Sequence, residues 1–198
     1  MMALIPAAGH SRRMGRPKLA LPLAGGCILT AVIQTLKSAG VAEILVVIAP
    51  HVAELAPLAR AAGAHVLELP APTPDMRTTI EHGLAWLDER FHPSPDDAWL
   101  LVPADHPVLD VAAVRQLLDA FQNQSRWSLA VPTFGGKRGH PAAIAWRHVA
   151  GIRASPRDLG LNAYLRQHAA EMLEVPVDSD SILIDLDTPE DYQRLQSH

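Results

Sequence analysis

Short apolar runs alternate with amphipathic stretches through the first two thirds of the chain. Ala3-Leu4-Ile5 is apolar without interruption and predicts a strand buried on both faces. Ile28, Val32, Ile33 and Leu36 recur at helical spacing, with Gly40 as the stop. Residues 44–49, β-branched and aliphatic, predict a second buried strand. Val52, Leu55, Leu58 and Ala62 mark a second helix, followed by a short strand over 65–69. The three prolines of 70–74 indicate a loop. Ile80, Leu84, Leu87 and Phe91 then fall on one face of a third helix. Trp99-Leu100-Leu101-Val102 predicts a fourth strand, and Asp110 the N-cap of a helix that turns Val111, Val114, Leu117 and Phe121 inward.

Strands alternating with helices, joined by connections long enough for crossovers, imply a mostly parallel sheet with helices on both faces. Right-handed crossovers make this a doubly wound, three-layer α/β/α sandwich. Ligands in such sheets bind beyond the carboxyl ends of strands, so the loops starting at Pro6, Pro70 and Pro103 are expected along one edge. Beyond residue 128 the pattern is less regular. Strands over 128–134 and 142–146 flank Gly135-Gly136-Lys137-Arg138-Gly139, and the stretch near 128–170 is expected as an insertion covering the active edge. Leu161, Tyr164, Leu165 and His168 predict a short helix, and 182–186 a last strand. Thr188-Pro189-Glu190-Asp191 predicts a terminal helix with Thr188 as N-cap, Pro189 at N1 and Asp191 in a capping box. With no repeat and no linker, residues 1–198 are expected as one domain.

Composition narrows the function classes. The 198 residues, 48% of them hydrophobic, suffice for one substantial core. A net charge of −4 weighs against general nucleic-acid binding, which calls for a basic excess. The single cysteine, Cys27, excludes an intrachain disulfide framework and a cysteine-rich zinc site. The ten histidines form no i, i+4 pair, which argues against catalytic zinc. The four tryptophans are expected in the core or the cover. Neither a secretory h-region nor a run of membrane-spanning length is present, so a cytoplasmic enzyme without membrane contact is expected.

The segment from Ala7 to Lys18 follows the first strand directly and holds two glycines, three arginines and a lysine. Small residues let backbone N–H groups approach phosphate oxygens, while Arg and Lys neutralise their charge. The spacing is not that of a P-loop, since five residues separate Gly9 from Gly15, and no dinucleotide fingerprint is present. Asp105 stands just past the fourth strand, where a carboxylate can ligate Mg²⁺ alongside triphosphate oxygens or simply begin a turn before Pro107. The glycine-rich stretch with Lys137 and Arg138 suits an anionic acceptor.

Ala7-Ala8-Gly9-x-Ser11-x-Arg13-Met14-Gly15-x-Pro17-Lys18 resembles the signature loop of nucleotidyltransferases related to molybdenum cofactor cytidylyl- and guanylyltransferases. Val102-Pro103-Ala104-Asp105-His106-Pro107, Gly136-Lys137-Arg138-Gly139-His140-Pro141 and Asp185-Leu186-Asp187-Thr188-Pro189-Glu190-Asp191 extend the resemblance over essentially the whole chain. The Ala-Ala-Gly form is closer to the cytidylyl branch; Pro6 departs from the leucine of close relatives. The resemblance implies a nucleotide-diphospho-sugar transferase-like, Rossmann-related fold and transfer of CMP from CTP to a molybdopterin-like phosphate. It also implies Mg²⁺ on Asp105, with Asp187 or Asp185 as second ligand, and a molybdoenzyme or cofactor-insertion partner. It assigns Ala7, Ala8, Gly9, Ser11, Arg13, Gly15 and Lys18 to the triphosphate, Arg13 and Lys18 acting catalytically with Asp105. By the same resemblance the segment with Arg77 and Thr79 lies at the base and ribose, and Arg138, Gly139 and His140 on the acceptor side. From the residues alone, Thr79 is a nucleotide contact, a helix N-cap or both, and Arg77 either a phosphate contact or an exposed arginine. Competing readings are transfer to a sugar 1-phosphate or phosphorylated organic acid, and a non-catalytic cofactor-binding chaperone.

Overall fold

β1 (Met2–Ala7) is buried at every residue and sends alternate side chains to opposite faces of a sheet. In the computed structural model, which describes residues 1–11, 14–23, 25–124, 126–157 and 159–196, Ala3, Ile5 and Ala7 join one core and Met2 and Leu4 the other. The remaining strands are β2 (Pro22–Leu23), β3 (Gly26–Cys27), β4 (Glu43–Ile48), β5 (His65–Glu68), β6 (Ala98–Leu101), β7 (Leu129–Phe134), β8 (Lys137–Arg138), β9 (Ala142–Ala145) and β10 (Met172–Pro176). The main sheet runs in the order β10-β7-β9-β6-β1-β4-β5, with β8 folded back on β7; β2 and β3 form a separate small ladder. All neighbours along the main order are parallel except β9, which is antiparallel to both β6 and β7.

The helices segregate by face. Inward residues of α1 (Ile28–Ser38), α2 (Leu55–Ala61) and α4 (Val111–Gln122) pack into the first core, those of α3 (Met76–Phe91), α5 (His148–Ala154) and α6 (Leu161–Gln167) into the second. α7 (Pro189–Gln196) adds Tyr192 to the first. This is the three-layer, doubly wound sandwich. Full burial of a leucine such as Leu4, Leu45 or Leu84 stabilises by roughly 2 kcal/mol each. From β1 the chain reaches β4 through α1, whereas from β5 it returns through α3 across the other face to β6. Strand order therefore reverses between β1 and β6, and their carboxyl ends open a crevice.

Several elements differ from the hydrophobic pattern. Leu58 is exposed, because the inward positions of α2 are Leu55, Ala56 and Ala59 and Val52 belongs to a preceding 3-10 turn. α3 begins at Met76 rather than near Ile80; Asp75 is its N-cap, its side chain accepting from the backbone N–H of Thr78 at 2.7 Å. Residues 182–186 form no strand. Asp180–Leu183 is a 3-10 turn, and the backbone beyond it is fastened to the β6 side by Leu186 N–H donating to the Asp105 carbonyl. The last strand is β10, an edge strand with Glu174 facing outward. The stretch 128–170 supplies β7 and β9 to the sheet itself, with β8 paired back on β7, and α5 and α6 to the second core.

Candidate active site

The loop leaving β1 is closed by its own polar groups. Ser11 accepts the Met14 N–H on its carbonyl and the Lys18 N–H on its hydroxyl, at 3.0 and 3.2 Å. Met14, Leu19 and Leu21 are buried and pin the loop to the first core. Gly15 holds a φ of +65°, a conformation that a side chain would strain. Arg13, expected as a catalytic cation, lies outside the described residues.

Lys18 reaches across the crevice. Its ammonium donates to Asp105 Oδ2 at 2.7 Å, to Asp187 Oδ1 at 3.0 Å and to the Leu186 carbonyl at 2.7 Å. The C-terminal segment that brings Asp187 here is held by the foreseen capping box. Asp191 Oδ2 accepts the N–H groups of Asp187 and Thr188, and Thr188 Oγ1 accepts that of Asp191. Those bonds, Thr188's foremost, keep the Asp191 carboxyl below the usual carboxylate range. Tyr192 then donates to the Pro22 carbonyl, tying α7 to the β2–β3 ladder beside the loop.

Ala7, Gly9, Ser11, Lys18, Asp105 and Asp187 line a cleft of about 260 Å³. Pro6, Met76, Pro103 and Asp105 also line a second cleft, of about 620 Å³, which continues to His106, His140 and Asp185. The loops after β1, β5 and β6 thus meet on one edge, as the strand pattern implies. Asp187 shares Lys18 with Asp105 in the first cleft, whereas Asp185 faces the second.

Other expected site residues are engaged elsewhere. Arg77 is buried, and its guanidinium donates to the carbonyls of Ile152, Ser155, Pro156 and Leu159 and to Glu81. A side chain that supplies its donors to backbone carbonyls ties α3 to the α5–α6 connection; it has no fork left for phosphate. Thr79 is buried too, its hydroxyl within 2.6 Å of Thr73 Oγ1 and 3.2 Å of the Asp75 carbonyl, and it neither caps the helix nor lines the cleft. Arg138 of β8 pairs with Glu174 of β10. Gly139 serves close approach: a Cβ there would overlap the carbonyl oxygen of Ile182, which accepts the N–H of His140 at 2.9 Å.

The motif around Asp105 assigns no role to His106, whose position between Asp105 and Pro107 at a strand end is its one signal in the sequence. Its ring meets that of His140 edge-on, centroids 5.1 Å apart, and Nδ1 of each is sealed without a partner. Burial pushes both imidazoles below their ordinary pKa, His140 to about 4, while Asp105 opposes the shift. His51, after β4, stacks on His10 of the loop after β1 at 3.8 Å, a contact that spacing does not reveal.

Among the described residues no group of three His, Cys, Asp or Glu side chains gathers as a metal cage. Two carboxylates converging on one cation, open to a cleft, are nevertheless a donor set that fits Mg²⁺, which takes one or two carboxylates and completes its shell with phosphate oxygens and water. No helix among the described residues is long and apolar enough to cross a membrane.

Comparison with curated protein sequences gives no significant match. Among solved structures the fold is similar to Rv0371c from Mycobacterium tuberculosis H37Rv, with TM-score 0.78 and 24% identity over 100% of this chain and 98% of that one. That protein is also known as a manganese complex, similar at TM-score 0.76 and 21% identity over 99% and 97%. A nucleotidyl transferase from Methanothermobacter, Mth528, gives TM-score 0.80 and 19% identity over 100% and 96%. A 4-diphosphocytidyl-2C-methyl-D-erythritol synthase gives 0.77 and 16% over 99% and 97%. The family model described as the MobA-like NTP transferase domain matches residues 3–172, which include β1, the loop after it and Asp105, and this chain belongs to that family.

Proposed function

We propose that the chain transfers CMP from CTP to the phosphate of a molybdopterin-type acceptor and releases pyrophosphate, using Mg²⁺. The observation that carries this reading is the meeting of Lys18 with Asp105 and Asp187 beside a glycine-bearing loop at the strand-order reversal. Support for a divalent ion comes from the manganese complex of the mycobacterial protein, and for a cytidine nucleotide from the diphosphocytidyl product named for the synthase.

In the reaction an acceptor phosphate oxygen forms a bond to the α-phosphorus, and the bond from that phosphorus to the β-phosphate bridging oxygen breaks. Such transfer asks little covalent chemistry of a protein; positioning and charge neutralisation supply most of the acceleration. Gly9, Ser11 and Gly15 shape the backbone around the triphosphate, and Lys18, with Arg13 assigned the same role, neutralises charge on the α-phosphate and the departing pyrophosphate. Asp105 and Asp187 hold the Mg²⁺, which supplies Lewis-acid neutralisation of phosphate oxygens when bound. The acceptor phosphate is largely ionised at neutral pH, so no base is required. Delivery of the product to a molybdoenzyme in the cytoplasm belongs to the same reading.

The test is pyrophosphate release with CTP, GTP, ATP and UTP, each with and without Mg²⁺, using molybdopterin as acceptor. CTP with Mg²⁺ is expected to give release that Asp105→Asn abolishes without changing thermal unfolding. Release that survives this substitution removes Asp105 from the chemistry, and no release with any triphosphate rejects the proposal.

A further inference from the structure

Four residues line both clefts of the active edge: Pro6, Met76, Pro103 and Asp105. Of these, Met76 stands out by exposure, at 61%. Met2, Met14 and Met172 lie in the two cores at 6–7%, and Met1 is half-buried. The chain on either side of Met76 is fixed. Asp75 caps α3 by accepting the Thr78 N–H, and Arg77 is locked to carbonyls of the α5–α6 connection. A held backbone thus presents one thioether at the junction of the two clefts, with its side chain open to solvent.

A thioether is oxidised where an oxidant can reach its sulfur. A peroxide delivers one oxygen to Sδ: a sulfur lone pair forms the S–O bond and the O–O bond breaks. The departing oxygen takes the peroxide proton and leaves as water, so the thioether is oxidised to the sulfoxide and the peroxide is reduced. The product exchanges a flexible apolar side chain for a polar, chiral one. In the first cleft it adds an acceptor oxygen to the space of Asp105 and Asp187, where Lys18 is the only lining cation among the described residues. An anionic ligand is disfavoured by more acceptor density in such a place.

Resting on the nucleotidyl-transfer reading above, we propose that Met76 is a peroxide-sensitive modification site whose oxidation to the sulfoxide turns the transfer off. A methionine sulfoxide reductase drawing on a dithiol turns it on again: the sulfoxide oxygen leaves as water and the dithiol becomes a disulfide. The position suits a switch because a ligand in either cleft meets this side chain.

The full chain is treated with hydrogen peroxide, and tryptic peptides are followed by mass spectrometry alongside pyrophosphate release from the triphosphate that the screen selects. The peptide of residues 61–77 holds Met76 and no other methionine or cysteine, so its gain of one oxygen reports this site. It is expected to oxidise about 10-fold faster than the peptides holding Met2, Met14 and Met172. Release should fall about 5-fold or more in step with that peptide. Methionine sulfoxide reductases of both epimer specificities, with dithiothreitol, should restore it. Met76→Leu, which keeps the bulk and removes the sulfur, should give the same release before and after peroxide, whatever its starting level. Met76→Gln, polar and of similar length, should lower release without any treatment. Oxidation of a buried methionine as fast as Met76 overturns the inference, as does release that survives full conversion of Met76. Equal peroxide loss in Met76→Leu also overturns it and points to the buried Cys27. If the untreated wild type releases no pyrophosphate from any triphosphate, the nucleotidyl-transfer reading fails and the switch with it; release that peroxide leaves unchanged sinks the switch alone.

Discussion

The Lys18 ammonium lies 2.7 Å from Asp105 and 3.0 Å from Asp187, so one cation from the β1 loop joins a carboxylate beyond β6 to another before α7. The two acids are 82 residues apart in sequence, and Lys18 itself precedes Asp105 by 87. In the proposed reaction the same two carboxylates would hold the divalent ion, so lysine and metal would compete for them until a triphosphate offered Lys18 another anion.

Lys18→Met is therefore expected to tighten Mn²⁺ binding about 10-fold in the absence of nucleotide, because no ammonium has to be displaced. The same variant should lose pyrophosphate release about 100-fold or more, since its charge is needed in the transition state. Calorimetric titration of Mn²⁺ reads the first effect. Affinity equal to or weaker than that of the wild type would show that Lys18 does not hold the metal position.

Arg77→Met should act on folding rather than on nucleotide recognition. Losing a buried guanidinium leaves several carbonyls without their donor and Glu81 with Arg157 alone, at a cost of about 3–5 kcal/mol, or roughly 10 °C in melting temperature. Arg77→Lys should rescue little, because an ammonium cannot span the same fork of acceptors. Nucleotide affinity of the folded protein should change less than about 3-fold; a larger loss with unchanged melting would return Arg77 to the nucleotide.

Gly139→Ala should push the hairpin away from the 180–187 segment. The added methyl overlaps the Ile182 carbonyl, and overpacking of this kind costs about 1–3 kcal/mol. Asp187 travels with that segment, so metal-dependent pyrophosphate release should fall along with the melting temperature. Wild-type values of both would mean that the backbone gives way without disturbing the carboxylates.

His140 sets a pH dependence of stability in the metal-free protein. Its folded pKa of about 4 lies below the ordinary 6.5, mainly through burial and then through His106. As pH falls below 6.5 the unfolded chain takes up a proton that the folded ring refuses, so stability is fully present above 6.5 and is lost toward pH 4. The loss amounts to about 2–3 kcal/mol by pH 4.5. Urea unfolding at pH 7 and 4.5 should show the wild type losing more than His140→Phe by about that margin; equal losses would sink the assignment.

What the chain determines by itself is whatever depends on neighbours a few residues away. The runs of β1, β4 and β6, the period of α3 and α4, the Thr188–Asp191 capping box and the glycine-and-cation loop after β1 all follow from local spacing. Alternation misled where exposure is set from outside. β10 is an edge strand whose Glu174 broke its apolar signature, and 182–186 looked like a strand although no neighbour pairs with it. The tertiary structure alone decided which polar side chains meet: that Asp187 rather than Asp185 shares Lys18, that Arg77 turns inward, and that His106 and His140 stand together. Those relations run through strand order and crossovers, which bring together side chains too distant in sequence for any periodicity to connect.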